Sequence, residues 1–223
     1  MIIDALRDAR ALLFPLDCAG CGAPDRGLCD DCAALLRPAV TPRSTPGGLV
    51  VYTALRYESE VRRIILTFKE EGRTDLARQL SWPLGEAIRA ALAEYPDAVV
   101  VPVPSSRAGY RRRGFDPVRL LLRRTGRRFE RVLAPTRATG VQKSLGRVER
   151  ADNLRDALGA RPGIRGRRVL LIDDILTTGA TLEEAARAVA AAGGEVVGAA
   201  TMAFTPRLHR SRDIPGAEDY GGV

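Results

Sequence analysis

The chain has 223 residues, 45% of them apolar, enough for one substantial core with a small appendage and too few for several large domains. No run approaches the roughly 18 to 20 apolar residues of a membrane span, so membrane insertion is not expected and a cytoplasmic place is. The net charge of +8 favours anionic partners, either nucleic acid or phosphorylated small molecules. Only Lys69 and Lys143 are lysines; the other basic residues are arginines, a bias that genome composition also produces.

Residues 1–14 interleave Ile2, Ile3, Leu6 and Leu13 with Asp4, Arg7, Asp8 and Arg10. That is the pattern of a short amphipathic helix, not the unbroken apolar core of a secretory signal. Next come all four cysteines, as two pairs with two-residue gaps: Cys18 with Cys21, and Cys29 with Cys32. Such a gap turns both thiolates of a pair toward one metal, and two pairs complete a tetrahedral four-sulfur site. Gly20 and Gly22 allow the tight turn of the first pair. Spacing and compartment favour zinc over two disulfides or an iron–sulfur cluster. Four thiolates leave no open position, so such a zinc is structural.

Residues 37–48 hold three prolines and two glycines, which predicts a linker. The region beyond alternates strand and helix patterns. Residues 49–57 begin as a strand, and residues 59–68 place Val61, Ile64, Ile65 and Phe68 on one helical face. Residues 76–92 read as a helix kinked or broken at Pro83. Residues 98–101 are a continuous apolar run, the mark of a strand buried on both faces, and residues 169–172 are another. Residues 181–192 follow as a helix with Leu182, Ala185, Ala186 and Val189 inward, stopped by Gly193 and Gly194. Residues 196–204 form a further strand. This alternation predicts an α/β fold with a mostly parallel sheet flanked by helices. The polar tail, residues 206–223, reads as disordered and contains the lone His209.

The run from Val169 to Ile172 leads into Asp173 and Asp174, then into Thr177, Thr178, Gly179, Ala180 and Thr181. Ligands of a parallel sheet gather at the carboxyl ends of its strands. A turn that opens a helix there offers backbone N–H groups and the positive end of the dipole to an anion. Gly179 permits close approach, and the threonines add hydroxyl donors. The adjacent carboxylates repel a phosphate, so their partners are hydroxyls or a divalent cation. A sugar with a terminal phosphate and vicinal hydroxyls meets both demands. No Gly-Lys-Ser/Thr follows, so the loop is not a Walker A motif.

The string resembles the signature for phosphoribosyl pyrophosphate (PRPP) of type I phosphoribosyltransferases. Together with the paired cysteines it resembles the ComF family (ComFC and GntX-like proteins), named for competence for DNA uptake. Lys69, Gly72 and Arg73 match that family's Lys-x-x-Gly-Arg turn. Residues 101–104 with Arg111, Arg113, Gly114 and Phe115 match its central signature, and Arg137, Thr139, Gln142, Leu145, Arg150 and Asn153 match the next. Asp116 and Pro117 stand where the family usually has Asn-Gln.

The resemblance implies a module of residues 1–40 carrying the zinc cysteines, a type I phosphoribosyltransferase-like domain over residues 49–205, and the tail. It implies that Asp173 and Asp174 hold the ribose hydroxyls and that residues 177–181 cradle the 5′-phosphate. Lys69, Gly72 and Arg73 then lie at the pyrophosphate, which carries Mg²⁺. Asp173, Asp174 and Lys69 are the catalytic candidates.

Residues 107–131 contain ten arginines against Asp116 and Glu130. They read either as a basic arm over pyrophosphate or nucleic acid, with Arg111 and Arg113 on the family pattern, or as a solvated helix face. Two functions stay open. One is an Mg²⁺-dependent enzyme that transfers phosphoribose from PRPP to an unidentified acceptor. The other is a non-catalytic protein that binds PRPP and single-stranded DNA and works with competence helicase machinery.

Overall fold

The computed structural model describes residues 17–24, 26–136 and 156–206. The amphipathic pattern at residues 1–14, the motif positions within residues 137–153 and the tail with His209 lie outside them.

A five-stranded sheet runs in the order β1-β2-β7-β6-β3. Its strands are β1 (Thr41–Ser44), β2 (Val50–Arg56), β3 (Val99–Pro102), β6 (Arg168–Leu176) and β7 (Glu195–Phe204). All neighbours are parallel except β1, which pairs antiparallel with β2. A separate antiparallel ribbon joins β4 (Leu133–Pro135) to β5 (Leu158–Ala160). The helices are α1 (Asp30–Ala34), α2 (Ser59–Glu70), α3 (Ala77–Glu94), α4 (Arg107–Arg113), α5 (Pro117–Thr125) and α6 (Ala180–Ala191). Among the described residues, no helix is long and apolar enough to cross a membrane.

The strand period of two sorts β6 between two cores. Leu170 and Ile172 face the layer built from α2, α3 and α5, where Ile64, Phe68, Leu84 and Leu121 are fully buried. Val169 and Leu171 face α6 through Leu182, Ala185 and Val189. Both faces are covered, which is why the central strands read as unbroken apolar runs.

Three expectations change. Residues 37–48 are not simply a linker, because residues 41–44 form edge strand β1. The turn after it closes on Thr45, which accepts the Leu49 and Gly48 N–H groups while Gly48 takes a φ of 86°. Helix α3 runs on through the buried Pro83. In α6 the inward face includes Glu184, buried beside Ala185, while Ala186 packs against the same core only in part.

Glu184 is buried yet charged because its partners are complete. It accepts the Leu158 N–H at 2.9 Å and pairs with Arg187 at 2.7 Å, and Arg187 in turn donates to the Leu158 carbonyl. Burial alone would raise its pKa, but Arg187 and the backbone donors bring it below the usual carboxylate range. A lowered carboxylate contributes stability above its unfolded pKa and loses it as the pH falls. In urea titrations, Glu184→Ala is expected to cost about 1–3 kcal/mol at pH 7, from the orphaned Leu158 N–H, and less near pH 3. An equal loss at both pH values would contradict this account.

Candidate functional site

Strand β6 extends to Leu176, so the acid pair lies within the strand and not after it. Asp173 pairs in register with Thr201 of β7, whereas the ladder to β3 ends at Pro102 opposite Ile172. The acids therefore stand beyond the end of β3, at the carboxyl edge of the sheet.

Helix α2 brings a cation to them. Lys69 Nζ lies 2.6 Å from Asp174 Oδ2, with both side chains less than a fifth exposed. Burial would lower the Lys69 ammonium, but the Asp174 charge and hydrogen bond, with Asp173 behind them, move it upward. Asp173 accepts the Asp174 N–H at 2.8 Å. Its carboxyl is pushed up to about 8, first by burial and then by the Asp174 charge, with Asp116 adding and Lys69 opposing. Tyr57, just past β2, is a neighbour that the sequence did not mark. Burial raises its phenol against the pull of Lys69 and Arg62, and Asp174 and Glu70 add to the rise.

The loop beyond the acids opens α6. Thr177, Thr178 and Thr181 are exposed. Gly179 has a φ of 87°, and a Cβ there would lie 2.7 Å from Thr45 Cγ2, so both backbone and space require glycine. Thr178 Oγ1 accepts the Ala180 N–H at 3.3 Å. One turn on, Glu183 accepts the Gly47 N–H at 2.6 Å and fixes the β1–β2 turn beside the helix start.

On the other side of the acids, β3 leads into α4 and α5. Asp116 is the N-cap of α5, accepting the Arg119 N–H at 3.1 Å, with Pro117 at the first helical position. It also accepts the Ser105 N–H at 3.3 Å, tying the exit of β3 to α5. The departure at Asp116-Pro117 thus builds a helix start whose carboxylate adds to the rise of Asp173. Arg111 lines a 390 Å³ pocket with Ser105, Arg107, Tyr110, Asp116 and Arg119. Arg113 is turned inward, 3.5 Å from Glu70 and 3.4 Å from Ser105 Oγ. Glu70 also holds Arg112 at 2.5 Å.

Gly72 supplies a φ of 72° after α2. Arg73, expected at the pyrophosphate, has its guanidinium engaged elsewhere. Nε and Nη2 each lie 3.0 Å from an Asp75 oxygen, and the group reaches the Asp17 and Gly27 carbonyls of the cysteine module.

The Sγ atoms of Cys18, Cys21, Cys29 and Cys32 all lie within 4.8 Å of one another, and none is disulfide-bonded. Cys21 and Cys29 are 3.7 Å apart, matching the ~3.8 Å sulfur separation of a tetrahedral site with Zn–S near 2.3 Å. The donor set fits a thiophilic metal such as zinc. Gly22 turns the first pair at a φ of 78°. Gly20 has a different task from the one expected: a Cβ there would lie 2.5 Å from Cys32 Sγ. Burial would raise the Cys18 thiol, but backbone donors from Cys21, Cys29 and Gly20 bring it down to about 6, while burial drives Cys32 upward.

Residues 110–215 match the model of the phosphoribosyl transferase domain. The chain is similar to the DNA utilization protein YhgH of Escherichia coli K12, 27% identical over 194 residues that cover 81% of this chain and 85% of that one. It is similar to Competence protein F of Haemophilus influenzae, 29% identical over 130 residues covering 55% of this chain and 56% of that one. Among solved structures, a Corynebacterium diphtheriae phosphoribosyltransferase superposes with a TM-score of 0.37 at 20% identity, covering 78% of this chain and 81% of that one. The orotate phosphoribosyltransferase of Mycobacterium tuberculosis gives 0.36 at 19%, covering 78% and 82%.

Two outcomes are expected. Elemental analysis of the purified protein gives one zinc per chain, and Cys32→Ser lowers both zinc content and thermal stability; zinc well below one per chain would refute the tetrathiolate site. A carboxyl raised in the fold contributes stability that is full below its unfolded pKa, near 4, and lost as the pH rises through about 8. The melting temperature of Asp173→Asn relative to the parent therefore climbs between pH 5 and pH 9, and a flat difference would count against the raised carboxyl.

Proposed function

We propose that this chain, which matches the phosphoribosyl transferase domain over residues 110–215 and is similar to DNA utilization and competence proteins, is a ComF-type protein whose acid pair and threonine loop bind PRPP with Mg²⁺ and present it to an acceptor. The observation that carries this reading is one juxtaposition. Two carboxylates stand beyond the end of β3, and three residues on from the second begins an exposed threonine turn that opens a twelve-residue helix.

In this reading Asp173 and Asp174 accept the ribose hydroxyls, while the turn at residues 177–181 donates its N–H and hydroxyl groups to the 5′-phosphate. The pyrophosphate falls to the exit of β3, where Ser105, Arg107 and Arg111 border the pocket. That supports a different assignment from the turn after α2, since Arg73 is already engaged. Transfer breaks the C1–O bond, whose electron pair leaves on pyrophosphate. A lone pair of the acceptor forms the new C1 bond, and the acceptor proton passes to water or a base. Lys69 and the pocket arginines stabilise the charge that develops on the leaving group. Mg²⁺, when bound on the pyrophosphate, supplies further neutralisation there, and the carboxylates of Asp116, Asp173 and Asp174 give that end of the pocket oxygen chemistry that a hard cation accepts. PRPP and reduced thiols both point to the cytoplasm.

A second reading is favoured by the relatives' descriptions as DNA utilization and competence proteins and by exposed Arg123, Arg124 and Arg128. Here the PRPP pocket is kept without turnover, and the chain handles single-stranded DNA with a competence helicase. Pyrophosphate release from PRPP without DNA supports the enzyme. PRPP binding without release, together with oligonucleotide affinity that falls steeply with salt, supports the binding protein.

Calorimetry of Mg²⁺-PRPP tests the pocket common to both. Asp174→Asn should weaken binding at least about tenfold, the scale of charge-assisted hydrogen bonds worth ~1.5–3 kcal/mol. Unchanged affinity would remove the basis of either reading.

A further inference from the structure

One short stretch of chain touches both the cysteine module and the acid pair. Lys69, in the last turn of α2, reaches Asp174. Four residues on, Arg73 turns the opposite way. Its Nη1 lies 3.5 Å from the Asp17 carbonyl and its Nη2 lies 3.3 Å from the Gly27 carbonyl. The Gly27 carbonyl also accepts the Ala19 N–H at 3.1 Å, so Arg73 bonds to the backbone that closes the first cysteine turn. The seat is fitted to the guanidinium: a Cβ on Gly27 would lie 2.9 Å from Nη2. Asp75 holds the other edge of the group with two bonds of 3.0 Å, which fixes its direction.

A second contact runs through the apolar side. A Cβ on Gly20 would meet Cys32 Sγ at 2.5 Å and Ile64 Cδ1 at 3.2 Å, so the first cysteine turn lies directly on α2. Cys18, Cys32 and Leu36 belong to the same buried cluster as Ile64, Ile65 and Phe68. The helix that carries Lys69 is therefore packed on one side by the cysteine module and on the other by the sheet.

We propose that Arg73 is a positioning residue that makes ligand binding at the Lys69–Asp174 pair depend on the metal of the four-cysteine site; this rests on the PRPP reading of that pair. The physical chain is short. The module has no core of its own apart from the surface it lays on α2, so binding of the metal supplies much of what orders its turns. With the metal gone, four thiols within 4.8 Å have nothing to draw them together, and the Cys32 thiol stays buried without a partner charge. The carbonyls at residues 17 and 27 then lose their fixed positions, and Arg73 loses its anchor. The C-terminal turn of α2 loosens, and Lys69 with it. Metal occupancy becomes a control on the sugar-phosphate site with no cysteine near the ligand.

The experiment uses the full-length zinc-loaded protein, with a zinc-selective chelator that spares Mg²⁺. Mg²⁺-PRPP affinity is read by calorimetry and local stability by hydrogen exchange. Removing zinc should weaken PRPP binding about tenfold, a typical coupling between sites, and raise exchange in residues 59–73 while residues 169–191 stay protected. Arg73→Ala should keep its zinc, bind PRPP as weakly as the chelated parent, and show no further loss on chelation. Asp75→Asn separates positioning from direct contact. Releasing Arg73 toward a ligand that it touches would strengthen binding, whereas loosening its anchor weakens it. Unchanged affinity and exchange after chelation would overturn the proposal, as would loss of protection throughout the chain or tighter binding by Asp75→Asn. If the zinc-loaded parent binds no PRPP while residues 59–73 still respond to chelation, the PRPP reading fails and the mechanical coupling stands.

Discussion

Two carboxylates side by side at the open edge of a parallel sheet are a constraint that the rest of the chain must meet. Their charges repel, and that repulsion adds to the rise of the Asp173 carboxyl. The fold answers with one ammonium, Lys69 at 2.6 Å from Asp174, and with a raised pKa on Asp173. A lysine suits the position because its compact charge approaches a single oxygen without the flat fork of an arginine. Placing it there requires the end of α2 to be fixed. Phe68 is fully buried and packs edge-on to Phe115, Glu70 holds Arg112 and Arg113, and Arg73 grips the cysteine module. Six consecutive positions thus join the sheet edge, the basic helix and the cysteine module.

The same constraint gives the site its chemistry. Asp173 is destabilised as an anion, and its fault is burial beside another anion with only one backbone donor and a shared lysine in compensation. Hydroxyl donors brought between the two acids supply what the fold withholds. Under the proposed reading, such an acid pair favours a polyhydroxylated ligand carrying positive counter-charge over a bare anion.

What the sequence made legible was local. Apolar runs at residues 98–101 and 169–172 marked strands because both faces of the sheet are covered, even at β3 on its edge, and the period of 3.6 in residues 59–68 marked the buried face of α2. Cysteine spacing carried the metal site for the same reason, since a two-residue gap is itself a geometry. The missed features each depend on a distant partner. Strand β1 forms from a proline-rich stretch because β2 offers it an edge. Strand β6 continues through two aspartates because β7 supplies ladder bonds as far as Phe204. Glu184 is tolerated inside because Arg187 and the Leu158 N–H meet it. Arg73, by contrast, bonds both to Asp75, two residues away, and to the distant Gly27 carbonyl of the cysteine module, a link the sequence does not show.

The arginines show how tertiary structure turns composition into function. In sequence, residues 107–131 form one basic block, but the carboxylates around it divide the block. Arg112 and Arg113 are tied to Glu70, and Glu130 takes Arg167 from outside it. Arg107, Arg111 and Arg119 instead border the pocket that holds Asp116, whose charge also acts on Asp173. Under the proposed reading, a phosphorylated ligand meets these grouped charges and not the average of a +8 chain. The neutralised arginines tie α4 to α2, so the basic segment holds its own helix in place with some of its charges and leaves others at the pocket.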